Sequence, residues 1–243
     1  MRLSEMAGFA VGVLLAPAAA AGSALRRGRV FHPDGVVCRA RVTASTGEGE
    51  VSRVGSTLEG PALVRLSGAL WRGEKAVYPD ILGAAIRFRR DTAASAEPGP
   101  DDQDMLFATI PALPLFGVAP FLTMVKTFLW NDYHAIGRFE VEGLGLTKWR
   151  LRSPRIPPED GGRVASLDKA IANGVAIFEL QVKEAVPFAK YRTAAHVELE
   201  GRVDVDQEAL RFSPFRNGRQ IVPRGFVNAA RIAPYAASQA VRP

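Results

Sequence analysis

The stretch Ala135-Ile-Gly-Arg-Phe-Glu-Val141, Glu142-Gly-Leu-Gly145, Leu146-Thr-Lys-Trp-Arg-Leu151 decides the architecture. Glu142-Gly-Leu-Gly145 is a hairpin turn signal, and apolar and polar residues alternate on either side of it, the period of a half-buried strand. Two strands joined by so short a turn pair antiparallel, because a parallel pair needs a crossover of a dozen residues or more. Working outward, Ala176 to Val182 and Ala195 to Val205 read as further strands, separated by a Pro-containing loop. Upstream, Arg29 to Ile110 reads as β throughout, with runs at Val36 to Val42, Ala62 to Leu66, Asp80 to Phe88 with Gly83 inside it, and a buried strand Met-Leu-Phe-Ala-Thr-Ile at 105 to 110.

The connections are equally legible. Residues 89 to 103 form a polar loop rich in Pro, Gly and Asp. Residues 111 to 131 read as a loop and helix carrying apolar bulk, in which Phe116, Phe121, Phe128 and Trp130 are core or line a ligand pocket. Leu167 to Ala172 is a short helix stopped by Asn173-Gly174. A last helix runs from about Arg224 to the end, with Pro223 near its start. About eight short strands with a terminal helix at each end predict an α+β fold, a closed antiparallel β-barrel in one domain over residues 26 to 243.

Composition narrows the function classes. The 243 residues can bury one large core, and 47% hydrophobic with 23% charged residues is ordinary for a globular chain. The net charge of +6 comes from arginines spread along the chain, without the basic run and interleaved aromatics of a nucleic-acid groove. No nucleic-acid partner is therefore expected. A single cysteine, Cys38, excludes an intramolecular disulfide and a cysteine zinc cluster, and reads as a small core residue rather than a reactive thiol. Residues 1 to 25 carry Arg2 and an apolar run broken by Pro17, which predicts a helix packed on the domain and a cytoplasmic protein. A signal peptide with export, or attachment to a membrane surface, is the alternative for the same residues. A homodimer is left open.

Three stretches carry candidate chemistry. In Arg231-Ile-Ala-Pro-Tyr235 the arginine and tyrosine are four apart, so on a helix they share a face and the cation favours phenolate. Tyrosinate suits ferric iron. Arg29-Val-Phe31-His32-Pro-Asp-Gly35 ends a strand-like run on a histidine before a turn, and Val64-Arg65-Leu-Ser67 offers a cation and a hydroxyl. His134 and His196 read as structural or surface residues.

Taken together, RVFHPDGV, PALVRLSGALWRGEKAVYPDILGAAIRF, DMLFATIP, LDKAIANGVAIFELQV, DQEALRFSP and GFVNAARIAPYAASQAVR stand in the order and approximate spacing of the matching blocks of haem catalases. From about residue 26 to the C-terminus the chain resembles a reduced member of the catalase-related superfamily, without the long arm and C-terminal additions of full catalases. The resemblance implies ferric haem b as cofactor, with Tyr235 as proximal iron ligand and Arg231 holding it as phenolate. It implies His32 as distal acid and base, Ser67 orienting its imidazole, Phe31 beside it where the family commonly carries valine, and Arg29, Arg65 and Arg242 on the haem propionates. Thr109 falls where the family places a distal asparagine, so the resemblance implies a peroxidase acting on hydrogen peroxide or an organic hydroperoxide with an electron donor, and weak catalase turnover. An allene-oxide-synthase-like conversion of fatty-acid hydroperoxides and a non-enzymatic barrel binding haem or another apolar ligand are the alternatives.

Overall fold

A computed structural model describes residues 3–26, 34–71, 76–92, 95–207 and 209–240. In chain order the elements are α1 (Leu3–Arg26), β1 (Gly35–Ala44), α2 (Glu50–Leu58), β2 (Gly60–Gly68), β3 (Leu82–Phe88), β4 (Gln103–Ala108), α3 (Ala119–Leu122), β5 (Tyr133–Ala135), β6 (Arg138–Val141) and β7 (Gly145–Arg152). They continue with α4 (Gly162–Ala172), β8 (Ile177–Glu184), β9 (Arg192–Arg202), β10 (Val222–Arg224) and α5 (Phe226–Ala240). Each pairing in the sheet is antiparallel, in the order β7-β5-β4-β3-β2-β1-β9-β8, and β8 returns to β7 to close an eight-stranded barrel. β6 and β10 extend the sheet outside this ring. The α+β barrel expected from the strand pattern is thus the observed fold.

Period-two alternation fills the barrel. Cys38, Val64, Ile86 and Met105 are cross-strand neighbours along β1 to β4 and all point inward, joined from the far wall by Trp149, Leu151, Phe178 and Val182. Shifting any of these strands by one residue would turn that set outward, so burial pins the register. Cys38 is a core residue, as expected, and burial pushes its thiol pKa up to about 12.

Two local expectations give way. The region read as continuous β contains α2, whose Val51, Val54 and Leu58 are buried at helical spacing. Gly55 lets this helix lie flat on the barrel: a methyl group there would stand 1.9 Å from the Ala194 carbonyl oxygen. Segment 111–131 contains only one 3-10 turn and the four-residue α3. Its three prolines and Gly117 leave no run long enough for a stable helix. The strand expected from Asp80 begins at Leu82. Asp80 instead turns back, its Oδ1 accepting the N–H groups of Ala69, Leu70 and Ile81.

At the chain ends, α1 lies along α5. Among the described residues no helix is long and apolar enough to cross a membrane.

Candidate functional site

The outward positions of β1 to β4 build one face. Val37, Arg65, Ala85 and Leu106 stand side by side across the four strands, with Gly35, Ser67, Gly83 and Ala108 in the next row and Arg39, Leu63, Arg87 and Asp104 in the row below. The upper row holds only small side chains. β3 and β4 are buried except at Ala85 and Leu106, which are paired with each other. Here, between walls of buried strand, the barrel surface opens.

Residues 203–207 and 209–216 cover the lower part of this face. Leu210 and Phe212 join Val37 and Leu63 in a separate apolar cluster, against which Ala85 and Leu106 pack. Beneath it lies an ion triad in which Arg87 and Asp104 are fully buried and Arg216 is partly exposed. Asp104 takes Nε of Arg87 at 2.9 Å and Nη2 at 3.3 Å, the Ser213 N–H at 2.8 Å, and Nη1 of Arg216. Burial pushes the Asp104 carboxyl pKa up, and the two guanidiniums and the Ser213 amide pull against it. Arg87 also donates to the carbonyls of Ala96 and Arg211 and stands 5.0 Å over the Phe212 ring. Beside it Arg219, nearly buried, donates to the carbonyls of Asp101, Thr57 and Arg89, and Gln103 braces Arg216 and Ile221. Sequence reasoning missed these residues, because Asp101-Asp-Gln-Asp104 resembles a solvated acidic loop until strand pairing buries Gln103 and Asp104 and leaves Asp101 exposed.

Phe212 also lines a pocket of about 430 Å³ formed by Arg211, Ser213, Phe215, Arg216 and, from α5, Ile232, Tyr235 and Ala236. Tyr235 is half-buried in its wall, edge-on to Phe215 with ring centroids 6.3 Å apart. Its hydroxyl donates to the Phe212 carbonyl at 2.8 Å. Only a protonated phenol makes that bond, so a phenolate at Tyr235 requires the ring to swing away from Phe212. One turn earlier Arg231 donates to the Ile136 carbonyl at 3.3 Å, and among the described residues no carboxylate pairs with it. Burial lowers the Arg231 pKa, and the neighbouring Tyr235 draws it back up. A desolvated cation beside one phenol favours the anionic form of that phenol.

Ser67 and Arg65 share the outer face, both buried. Ser67 is cross-strand partner to Gly35, where β1 emerges from segment 27–33. Arg65 donates through Nε to Gln207, which in turn donates to the Gly35 carbonyl. A methyl group on Gly35 would meet the Arg65 guanidinium carbon at 2.9 Å, so glycine is needed for the arginine to lie across the strand. Thr109 is buried just beyond β4, and its hydroxyl is committed: it accepts the Leu82 N–H at 3.1 Å and lies 2.8 Å from the Thr123 hydroxyl. Thr123 gives its own hydrogen to Ala119, so Thr109 gives its hydrogen to Thr123. Arg29, Phe31, His32 and Arg242 lie outside the described residues.

Among the described residues no three His, Cys, Asp or Glu side chains converge on a metal position. His134 is half-buried on β5 and His196 exposed on β9, consistent with their reading as structural and surface residues.

No protein-family profile matches the chain, and no curated protein matches it in sequence. Among solved structures it is similar to catalase A from Saccharomyces cerevisiae, with a TM-score of 0.55 and 12% identity over 88% of this chain. The chain covers 60% of that protein's length. The closed eight-stranded ring and the yeast structure agree on one conclusion: this chain has a catalase-like fold.

Proposed function

We propose that the protein is a catalase-related haem peroxidase that acts on hydrogen peroxide or an organic hydroperoxide and draws electrons from a separate donor. The observation that carries this reading is the pair on α5, a pocket-wall phenol one turn from a half-buried guanidinium that has no carboxylate partner among the described residues. These residues suit ferric haem: Tyr235 as the iron ligand, Arg231 as the countercharge of the phenolate, and Phe212, Phe215 and Ile232 as apolar walls. Arg65, with Arg29 and Arg242, is assigned to the propionates. Bound haem would supply the iron redox chemistry of O–O cleavage.

The chain's own work is proton handling. His32 would take the proton of the hydroperoxide and return it to the departing oxygen, so that ROOH leaves as ROH. Bound haem would supply the two electrons of the O–O cleavage, and the donor, with two protons, would return the second oxygen as water. Ser67, on the strand next to Gly35, would fix the imbalance between the two ring nitrogens of His32 by a hydrogen bond. Thr109 has already given its hydrogen to Thr123, which leaves no distal donor of the asparagine kind at that position and favours peroxidase over catalase turnover. A second reading, a barrel that binds an apolar molecule without peroxide chemistry, is favoured by the hydrogen bond that Tyr235 makes to Phe212.

Absorption spectra of protein expressed with haem supply, before and after hydrogen peroxide or tert-butyl hydroperoxide, separate the two. A ferric tyrosinate spectrum that changes with peroxide and recovers with donor supports the enzyme; an unchanging spectrum supports the binding barrel. Tyr235→Phe is expected to lose the tyrosinate spectrum while the barrel stays folded, and an unaltered spectrum rejects the ligand assignment. His32→Ala is expected to keep haem and lose peroxide reactivity; full activity would overturn its role.

A further inference from the structure

α1 approaches α5 along a seam of three contacts that advance in step. Glu5, buried although it is a carboxylate, accepts the N–H of Gly225 at 3.1 Å. Gly225 is the N-cap of α5, since its carbonyl takes the first helical bond, from Ala229. One turn on, a methyl group built on Gly8 would stand 2.3 Å from the Phe226 carbonyl oxygen, and one built on Gly12 would stand 2.5 Å from that of Ala230. Real Cβ atoms do not come so close, so the two backbones touch only because these positions carry glycine. Gly8 to Gly12 and Phe226 to Ala230 are both steps of four, and they run in the same direction; the two helices are therefore parallel and locked in register.

The third contact has a chemical reason. In a helix the carbonyl of Ala230 bonds the N–H of residue 234, and residue 234 is a proline, which has none. α5 nevertheless continues through Pro234 to Ala240. The carbonyl that Pro234 leaves without its helical donor is the one that Gly12 covers, where a Cα–H can approach it. Tyr235 follows in the next position.

We propose that α1 is a positioning clamp for Tyr235: Glu5 caps α5, and Gly8 and Gly12 hold it at backbone contact on either side of the turn that leads into Pro234. The carboxylate satisfies an N-terminal N–H and complements the helix dipole. The glycines set the distance and the rotation of α5, and with them the direction in which the phenol points. This rests on the reading of Tyr235 as a ligand, but the clamp itself is measurable without haem.

The test compares full-length haem-free protein carrying Glu5→Ala, Glu5→Gln or Gly12→Leu with a control, Ala7→Leu, at an exposed position of the same helix. Amide hydrogen exchange is read over 226–240 and over β7 by mass spectrometry. Glu5→Ala and Gly12→Leu are expected to speed exchange in α5 by about tenfold or more, with β7 unchanged. Glu5→Gln keeps an acceptor oxygen and is expected to stay near the parent, as is Ala7→Leu. Parent-like α5 exchange in both Glu5→Ala and Gly12→Leu overturns the clamp. With haem supplied, Gly12→Leu is expected to shift or lose the tyrosinate band. An unchanged band together with loosened α5 overturns the positioning role, whereas loosened α5 in a parent that takes up no haem upholds the clamp and removes the ligand reading. If Gly12→Leu does not fold, Glu5→Ala, which adds no bulk, decides by the same readout.

Discussion

Replacing Asp104 with asparagine tests how the wall of the candidate site is held. The carboxylate is fully buried, and four N–H groups point at it: two from Arg87, one from Arg216 and one from Ser213. Asparagine keeps the shape but removes the charge, and its amide turns hydrogens toward those donors. Removing one partner of a buried ion pair costs about 3–5 kcal/mol, because the other charge stays behind. Arg87 retains the carbonyls of Ala96 and Arg211, and Arg216 is 22% exposed and can turn to water, so the lower end of that range is expected. At about 2–4 °C per kcal/mol for a chain of this size, the melting temperature falls by roughly 6–12 °C. Urea unfolding followed through the buried Trp149 gives the free energy directly. The double variant Arg87→Met with Asp104→Leu removes both fully buried charges and is expected to recover most of the loss. A loss below about 1 kcal/mol in Asp104→Asn, or a double variant no better than the single, would refute the account of the triad as a coupled unit.

Two further outcomes follow from local geometry. Gly55→Ala puts a methyl group 1.9 Å from the Ala194 carbonyl and must lift α2 off β9; a loss of about 1–3 kcal/mol is expected in the same urea assay. His134 titrates below its ordinary value of 6.5, chiefly because of burial, with Arg150 and Lys183 lowering it further and Asp132 opposing them. The unfolded chain therefore binds this proton first as pH falls, so stability present above about 6.5 is lost as pH drops through the folded value. His134→Gln is expected to flatten the stability profile over that window, and an unchanged slope would show that another group sets it.

The barrel was legible because its signals are local and repeated. Alternation on either side of Glu142-Gly-Leu-Gly145 fixes antiparallel pairing by itself, and the runs at Val36, Ala62 and Ala176 repeat the pattern at strand length. α2 was not, because a nine-residue helix with a glycine in its middle has weak propensity and is held by packing on β9. Of the candidate site, Arg231 and Tyr235 were visible as a pair at helical spacing, and Arg65 and Ser67 as members of one short stretch. The Asp104 triad was not visible: its members lie 17 and 112 residues apart, and only strand pairing and the fold-back of 209–216 bring them together.

By itself, then, the sequence determined the closed antiparallel barrel, the terminal helix and the shared face of Arg231 and Tyr235, because spacing along one element fixes which side chains point the same way. Only the tertiary structure decided where those side chains go. It placed the Tyr235 hydroxyl on the Phe212 carbonyl, spent the Thr109 hydrogen on Thr123, and laid Gly12 over the carbonyl that Pro234 leaves without a donor. Each of these joins elements that no local pattern connects, and each is settled by which buried donor finds an acceptor once the barrel has closed.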